Sequence, residues 1–200
     1  MEGVKAPRQE RSAATRDRIV TAARDLFREE GYEAVSTAEV LRRAGVSRGA
    51  LYHHFAGKDE VLLAVFEEIE AETMVRVGQR LSAETDPFAA MKAGAQAYLD
   101  ECLGSVETQR IGLLYARRVL PWDTWREMAT RHGLGLAIAI TTEAARAGKV
   151  RSDDPEALAH LIVAALIEAG TMIAFADDQE AERARTGAAI DALLEGLRPP

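Results

Sequence analysis

Residues 36–55 read STAEVLRRAGVSRGALYHHF. Ser36 with Glu39 three residues later is a capping box, and Val35 with Val40 supplies the hydrophobic staple around it. The spacing predicts a helix over 37–44, ended by Gly45. The turn Gly45-Val46-Ser47 follows. Ser47 then caps a further helix over 48–55, with Val46 and Leu51 as a second staple. Two short capped helices joined by a three-residue turn with a glycine make a helix-turn-helix. Their inward faces carry Val40, Leu41 and Ala44 on one helix, and Leu51 and Phe55 on the other. Neither is long enough to persist alone in water. Both must pack on a third helix.

That partner lies upstream. Ile19, Ala22, Ala23, Leu26 and Phe27 form one apolar stripe at helical spacing, which predicts a helix over 12–30 closed by Gly31. Residues 1–11 are polar and aperiodic, and predict a flexible arm with the basic residues Lys5, Arg8 and Arg11. Downstream, Val61, Leu62, Val65, Phe66 and Ile69 mark a helix over 58–81. Four more follow: 87–103 (Asp86 cap, Pro87 first), 107–120 (ended by Pro121), 124–147 (Asp123 cap, closed by Gly148) and 155–176 (Asp154 cap, Pro155 first). A last one runs over 179–197 with Asp178 as cap. No segment alternates with period two. The expected fold is all-α with about nine helices.

Composition agrees with an ordinary globular chain: 200 residues, 48% hydrophobic and 28% charged. A single cysteine, Cys102, excludes an internal disulfide and fits a cytoplasmic location. No apolar signal segment opens the chain. The apolar run Leu158 to Phe175 contains His160 and Glu168, so it is read as a buried helix and not a membrane span. The net charge of −7 is unevenly spread. Residues 1–60 hold 11 Lys/Arg and 10 Asp/Glu, against 14 and 22 in the remainder. Only the N-terminal part can approach phosphates without strong repulsion.

The helix over 48–55 suits the major groove of DNA, which admits one α-helix and displays a readable donor/acceptor code. Arg48 opens it and can donate twice to a guanine. Gly49 sacrifices helix stability and permits close backbone approach. Tyr52 lies one turn on from Arg48, flanked by His53 and His54. Ser36, Thr37 and Ser47 place hydroxyls and free amides at helix N-termini, which attract phosphate. Lys58 can reach a phosphate from the start of the next helix. Double-stranded DNA is the expected partner.

These residues also resemble a known family. Residues from about 12 to 60 are similar to the N-terminal domain of TetR-type transcriptional regulators, and the stretch AGVSRGALYHHFAGKDEVL (44–62) matches it very closely. The resemblance implies that Ser36 and Thr37 hold phosphate at the second helix. It implies that Arg48, Gly49, Ala50 and Tyr52 face bases, and that Ser47, His53, His54 and Lys58 hold the backbone. It implies a homodimer on a palindromic operator, most often a repressor released by a small-molecule effector. Ala38 stands where a long polar side chain could read bases. The chain then divides into the arm (1–11), the DNA-binding domain (12–57) and a helical effector-binding and dimerisation domain (58–200).

In that larger domain Tyr98, Cys102, Tyr115, Arg118, Trp122, Trp125, His132, Glu168 and Met172 are polar, aromatic or soft groups in apolar settings. Each is either a satisfied core or interface residue, or part of a ligand pocket between helices. Glu168 as a buried carboxylate would need a partner, such as Arg118, a ligand cation or its own copy across a dimer. Leu161, Ala165 and Met172 on one helix, with Ile190, Leu193, Leu194 and Leu197 on the next, form the expected dimer surface. The histidines lack metal-ligand spacing. No nucleophile–base pair or phosphate-binding glycine loop appears. Neither metal, cofactor nor enzymatic activity is expected.

Overall fold

The computed structural model describes residues 8–200, apart from the side chains of Arg8, Gln9 and Ala129. It contains ten helices and no strand among the described residues. They are α1 (Arg8–Glu29), α2 (Thr37–Ala44), α3 (Arg48–His54), α4 (Lys58–Leu81), α5 (Pro87–Gly104), α6 (108–119), α7 (Trp122–Arg131), α8 (Gly133–Arg146), α9 (Pro155–Phe175) and α10 (Gln179–Glu195).

The described residues form two compact units, 8–67 and 68–200. That division falls inside α4, ten residues beyond the expected boundary at 57. Each unit has its own core. In the first, Ile19, Val20, Ala23, Leu26 and Phe27 of α1 are almost fully buried, together with Val40 of α2, Leu51 of α3 and Val61, Leu62 and Val65 of α4. In the second, α9 packs on α5, α8, α10 and α6. Its core includes Phe88, Leu99, Cys102, Leu113, Ala144, Ile173, Ile190 and Leu194.

Three aspartate caps are those expected from sequence. Asp86, Asp154 and Asp178 each accept hydrogen bonds from the first-turn amides of α5, α9 and α10. Gly31, Gly45 and Gly148 have φ of 88°, 64° and 66°, the left-handed conformation that ends a helix at little steric cost.

Three expectations need correction. α1 starts at Arg8, so Arg8 and Arg11 belong to the helix. The segment Arg8-Gln9-Glu10-Arg11 consists of strong helix formers with nothing to break it. Lys5 lies outside the described residues. Second, the helix expected over 124–147 is two helices, broken at His132. Glycines at 133 and 135 weaken it, and a Cβ on Gly133 would come within 3.1 Å of Met74 Sδ. Glycine there fits close packing against Met74 and costs helix stability. Asp123 is not the cap, since α7 begins at Trp122 after Pro121. Third, α6 is wound as a π-helix over Thr108–Ala116 before one α-turn, Arg117–Val119. Its i→i+5 bonding rotates each residue less than an α-helix does. Side-chain faces counted at α-helical spacing therefore drift along it.

Candidate DNA interface and ligand cavity

α2 and α3 are built by their caps. Ser36 Oγ accepts from the Glu39 amide (3.2 Å) and donates to Glu39 Oε2 (2.8 Å), and that carboxylate accepts from the Ser36 amide (2.8 Å). These bonds hold the Glu39 carboxyl below its usual range. The Ser36 hydroxyl is thus committed to the helix. The Thr37 and Ala38 amides remain at the N-terminus of α2, where an anion is favoured. Ser47 Oγ accepts from the Ala50 amide (3.2 Å) and caps α3 in the same way.

α3 buries Leu51 and turns its other face outward. Arg48, Gly49, Tyr52 and His53 are exposed, with Ala50 and His54 half-buried. The Arg48 guanidinium lies 5.5 Å from the centre of the Tyr52 ring, so the two side chains sit together on one turn. Nothing lies within 4 Å of where a Gly49 Cβ would stand, so no packing inside the chain demands glycine there. His53 and His54 meet edge to face at 5.0 Å. Arg43 of α2 is bound to Glu29 of α1 at 3.1 Å.

Lys58, expected to reach a phosphate, also makes contacts within the chain. Its Nζ donates to the carbonyls of Tyr32 (2.9 Å) and Val35 (3.0 Å), and sits 4.1 Å from the centre of the Tyr32 ring. Tyr32 donates a short hydrogen bond to Asp59. Its phenol is pushed up, first by burial and then by Asp59. Lys58, Tyr32 and Asp59 together tie the loop before α2 to the start of α4.

The second unit holds an apolar cavity, whose total volume of about 690 Å³ includes open solvent. Its walls come from α4 (Met74, Val77, Leu81), α5 (Met91, Gly94, Ala95, Tyr98), α8 (Gly133, Leu136, Ala137, Ile140, Thr141), α9 (Ile162, Val163, Leu166, Ile167) and Leu194 of α10. Of the nine residues singled out from sequence, only Tyr98 lines it. Trp122, Trp125 and Glu168 line a separate recess with Arg117, Arg126 and His160. Cys102 is fully buried in the core behind Tyr98. Tyr115, Arg118, His132 and Met172 line neither space.

Glu168 is not a buried carboxylate. Its side chain is 63% exposed, and its nearest cation is Arg117 at 3.8 Å, not Arg118. The π-wound α6 explains the one-residue displacement, because α-helical spacing misplaces its C-terminal faces. Arg117 also donates to Thr171 Oγ1 (3.2 Å) and lies over Trp125, which stacks on Trp122. The buried carboxylate of this unit is Glu70, only 6% exposed and pushed up to about 8 by burial. Among the described residues no cluster of three or more potential metal ligands occurs.

Comparison with known proteins decides the family. Residues 19–65 match the family model of bacterial regulatory proteins of the tetR family, and residues 88–197 match the tetracyclin repressor-like C-terminal domain. The chain belongs to the TetR family. It is similar to the Transposon Tn10 TetC protein of Escherichia coli, 26% identical over 160 residues, covering 77% of each chain. The crystal structure of a TetR-family transcriptional regulator from Pectobacterium atrosepticum superimposes with a TM-score of 0.84 at 35% identity, covering 97% of this chain and 98% of that one. FadR from Bacillus subtilis, crystallised in complex with stearoyl-CoA, shares the fold with a TM-score of 0.73 at 18% identity, over 92% and 99% of the two chains. TetR-family members are DNA-binding transcriptional regulators, and this chain carries both their domains.

Two features of this TetR-family chain escaped the sequence reading. The Lys58–Tyr32 tie joins residues 26 positions apart, and no local pattern announces it. The cavity walls on α8 (133, 136, 137, 140, 141) follow helical spacing, as a filled core would. Glu70 gave a clearer signal, a carboxylate one turn from Met74 on an apolar stripe.

Proposed function

We propose that this protein is a ligand-responsive repressor that binds a palindromic operator as a homodimer in the bacterial cytoplasm. The observation that carries the reading is α3: capped by Ser47, anchored by buried Leu51, and presenting Arg48 beside Tyr52 on an exposed face. In this reading Arg48, Gly49, Ala50 and Tyr52 meet base edges. Thr37, the α2 and α3 amides, Ser47, His53 and His54 hold phosphates. Ser36 acts as the cap that keeps those amides in place. Lys58 positions the loop with two of its N–H groups and has a third for phosphate.

Dimerisation would place two α3 helices about one DNA turn apart, roughly 34–36 Å. The exposed apolar residues Leu161 (69%), Phe175 (70%) and Met172 on α9, and Leu193 (62%) on α10, support a self-association surface. Ile190 and Leu194 are buried within one subunit, so α9 would dominate that surface. α9 is also long and apolar enough to cross a membrane. A second copy covering it accounts for the same outward residues.

The cavity is the effector site of this reading. A protein of the same fold binds stearoyl-CoA, which supports a small molecule in the helical unit. α4 runs from Lys58 to the cavity residues Met74, Val77 and Leu81, and would carry the signal. The effector shifts the population only through its different affinity for the two states.

The test is fluorescence anisotropy with palindromic duplexes selected from a random pool. Arg48→Ala should relax preference at one base position by about 1–3 kcal/mol. If the purified protein selects no duplex at any salt concentration, the reading is lost.

A further inference from the structure

Among the described residues that wall the cavity, none is Asp, Glu, Lys, Arg or His. The only polar side chains in the wall are the hydroxyls of Tyr98 on α5 and Thr141 on α8. Burial pushes the Tyr98 phenol well above its usual range, so it stays uncharged. Glu70 lies one turn before Met74 on α4 but is not part of the wall. The rest of the wall is aliphatic. It is also closely built where α4 meets its neighbours: a Cβ on Gly133 would come within 3.1 Å of Met74 Sδ, and one on Gly94 within 3.1 Å of Leu81 Cδ1. Met74 and Met91 are unbranched and adapt to the outline of what enters.

A wall without charge sorts ligands by their own charge. An ionised carboxylate or ammonium would give up its water and meet no counter-ion. It enters instead in its neutral form. At pH 7 that form is about one molecule in 500 of a simple carboxylic acid, and about one in 2,500 of a simple amine. A charged head left at the mouth keeps its water but finds no opposite charge in the wall, and it holds part of the tail outside. An alcohol or a ketone has no such penalty. The Tyr98 and Thr141 hydroxyls can donate to the oxygen of either, and can accept from an alcohol.

We infer that the cavity takes an uncharged, largely aliphatic molecule bearing an alcohol or carbonyl oxygen, and discriminates against acids and amines with the same carbon chain. This rests on the cavity being the effector site and names the chemistry of what enters.

The experiment is calorimetric titration of the full chain at neutral pH with octanol, octanone, octanoate and octylamine, which share one apolar tail. Each is used below the concentration at which it aggregates. Octanol and octanone should each bind at least about tenfold more tightly than either ion. Ala137→Phe, which fills part of the space from α8, should weaken octanol at least about tenfold and so place the binding in this cavity. The inference falls if octanoate or octylamine matches the neutral probes. It also falls if Ala137→Phe leaves octanol binding intact, or if no probe binds. Anisotropy on the selected duplex separates the two readings. Octanol binding without DNA release overturns the effector reading alone. DNA release by octanoate or octylamine in preference to both neutral probes overturns the uncharged assignment alone.

Discussion

The first unit is filled and the second is hollow. In residues 8–67 the apolar side chains of α1 to α4 interlock so that Ile19, Val20, Ala23, Phe27, Leu51, Leu62 and Val65 are sealed from solvent. What remains outside is polar and held by caps and a lysine tie. In residues 68–200 the helices leave an unfilled apolar space and an unpaired Glu70, and α9 turns Leu161 and Phe175 outward. A part that must present Arg48 and Tyr52 at fixed positions gains from close packing, which allows few alternatives. In the proposed reading, a part that changes with its contents gains from space.

Substitutions can break that comparison. The largest effect is expected at Glu70. Burial raises its carboxyl from 4.5 to about 8, so between those values the folded chain keeps a proton that the unfolded chain gives up. Wild-type stability contributed at this site therefore falls as pH rises through that window. Glu70→Gln should flatten the slope and be more stable at pH 8 by on the order of 4 kcal/mol. Urea denaturation from acid to mildly alkaline pH reads it, and parallel slopes for the two proteins would refute the unpaired carboxyl. Next, Leu51→Ala opens a cavity in the filled unit and should cost about 3 kcal/mol, with loss of duplex binding. A matched pair sharpens the contrast. Ala23→Leu in the filled core should cost about 2 kcal/mol by overpacking. Ala137→Leu, pointing into existing space, should change the midpoint of denaturation little. Equal costs would erase the distinction between the units. Lys58→Met should cost about 1–2 kcal/mol by stranding two carbonyls. If Lys58 served phosphate alone, stability would not move and only DNA affinity would drop.

The same contrast explains what could be read from the chain. The helix pair and its caps are local: Ser36 with Glu39, Gly45, and Ser47 with Leu51 lie within one or two turns of each other, so spacing alone reveals them. The proposed interface inherits that legibility, because Arg48 and Tyr52 are one turn apart on a short helix. The second unit depends on where distant helices fail to touch. A void leaves no mark on periodicity, since Leu136, Ala137 and Ile140 sit at the spacing a packed core would use. The aromatic and charged residues of α6 and α7 drew attention by type, but the π-winding of Thr108–Ala116 and the break at His132 moved their faces. Glu70 was accessible to reasoning from sequence, as an acid set in the apolar stripe of α4.

Gly170 has a practical use. A Cβ there would stand 2.7 Å from Cys102 Sγ, so the backbone of α9 presses directly on the chain's single thiol. That thiol is also pushed up to about 12, chiefly by burial. It can react with an alkylating reagent only when α5 and α9 part. The labelling rate of Cys102 is thus a clock for the opening of the second unit, with no probe to introduce and no competing sulfhydryl. A molecule lodged against Tyr98, whose ring also abuts Gly170, should slow that clock.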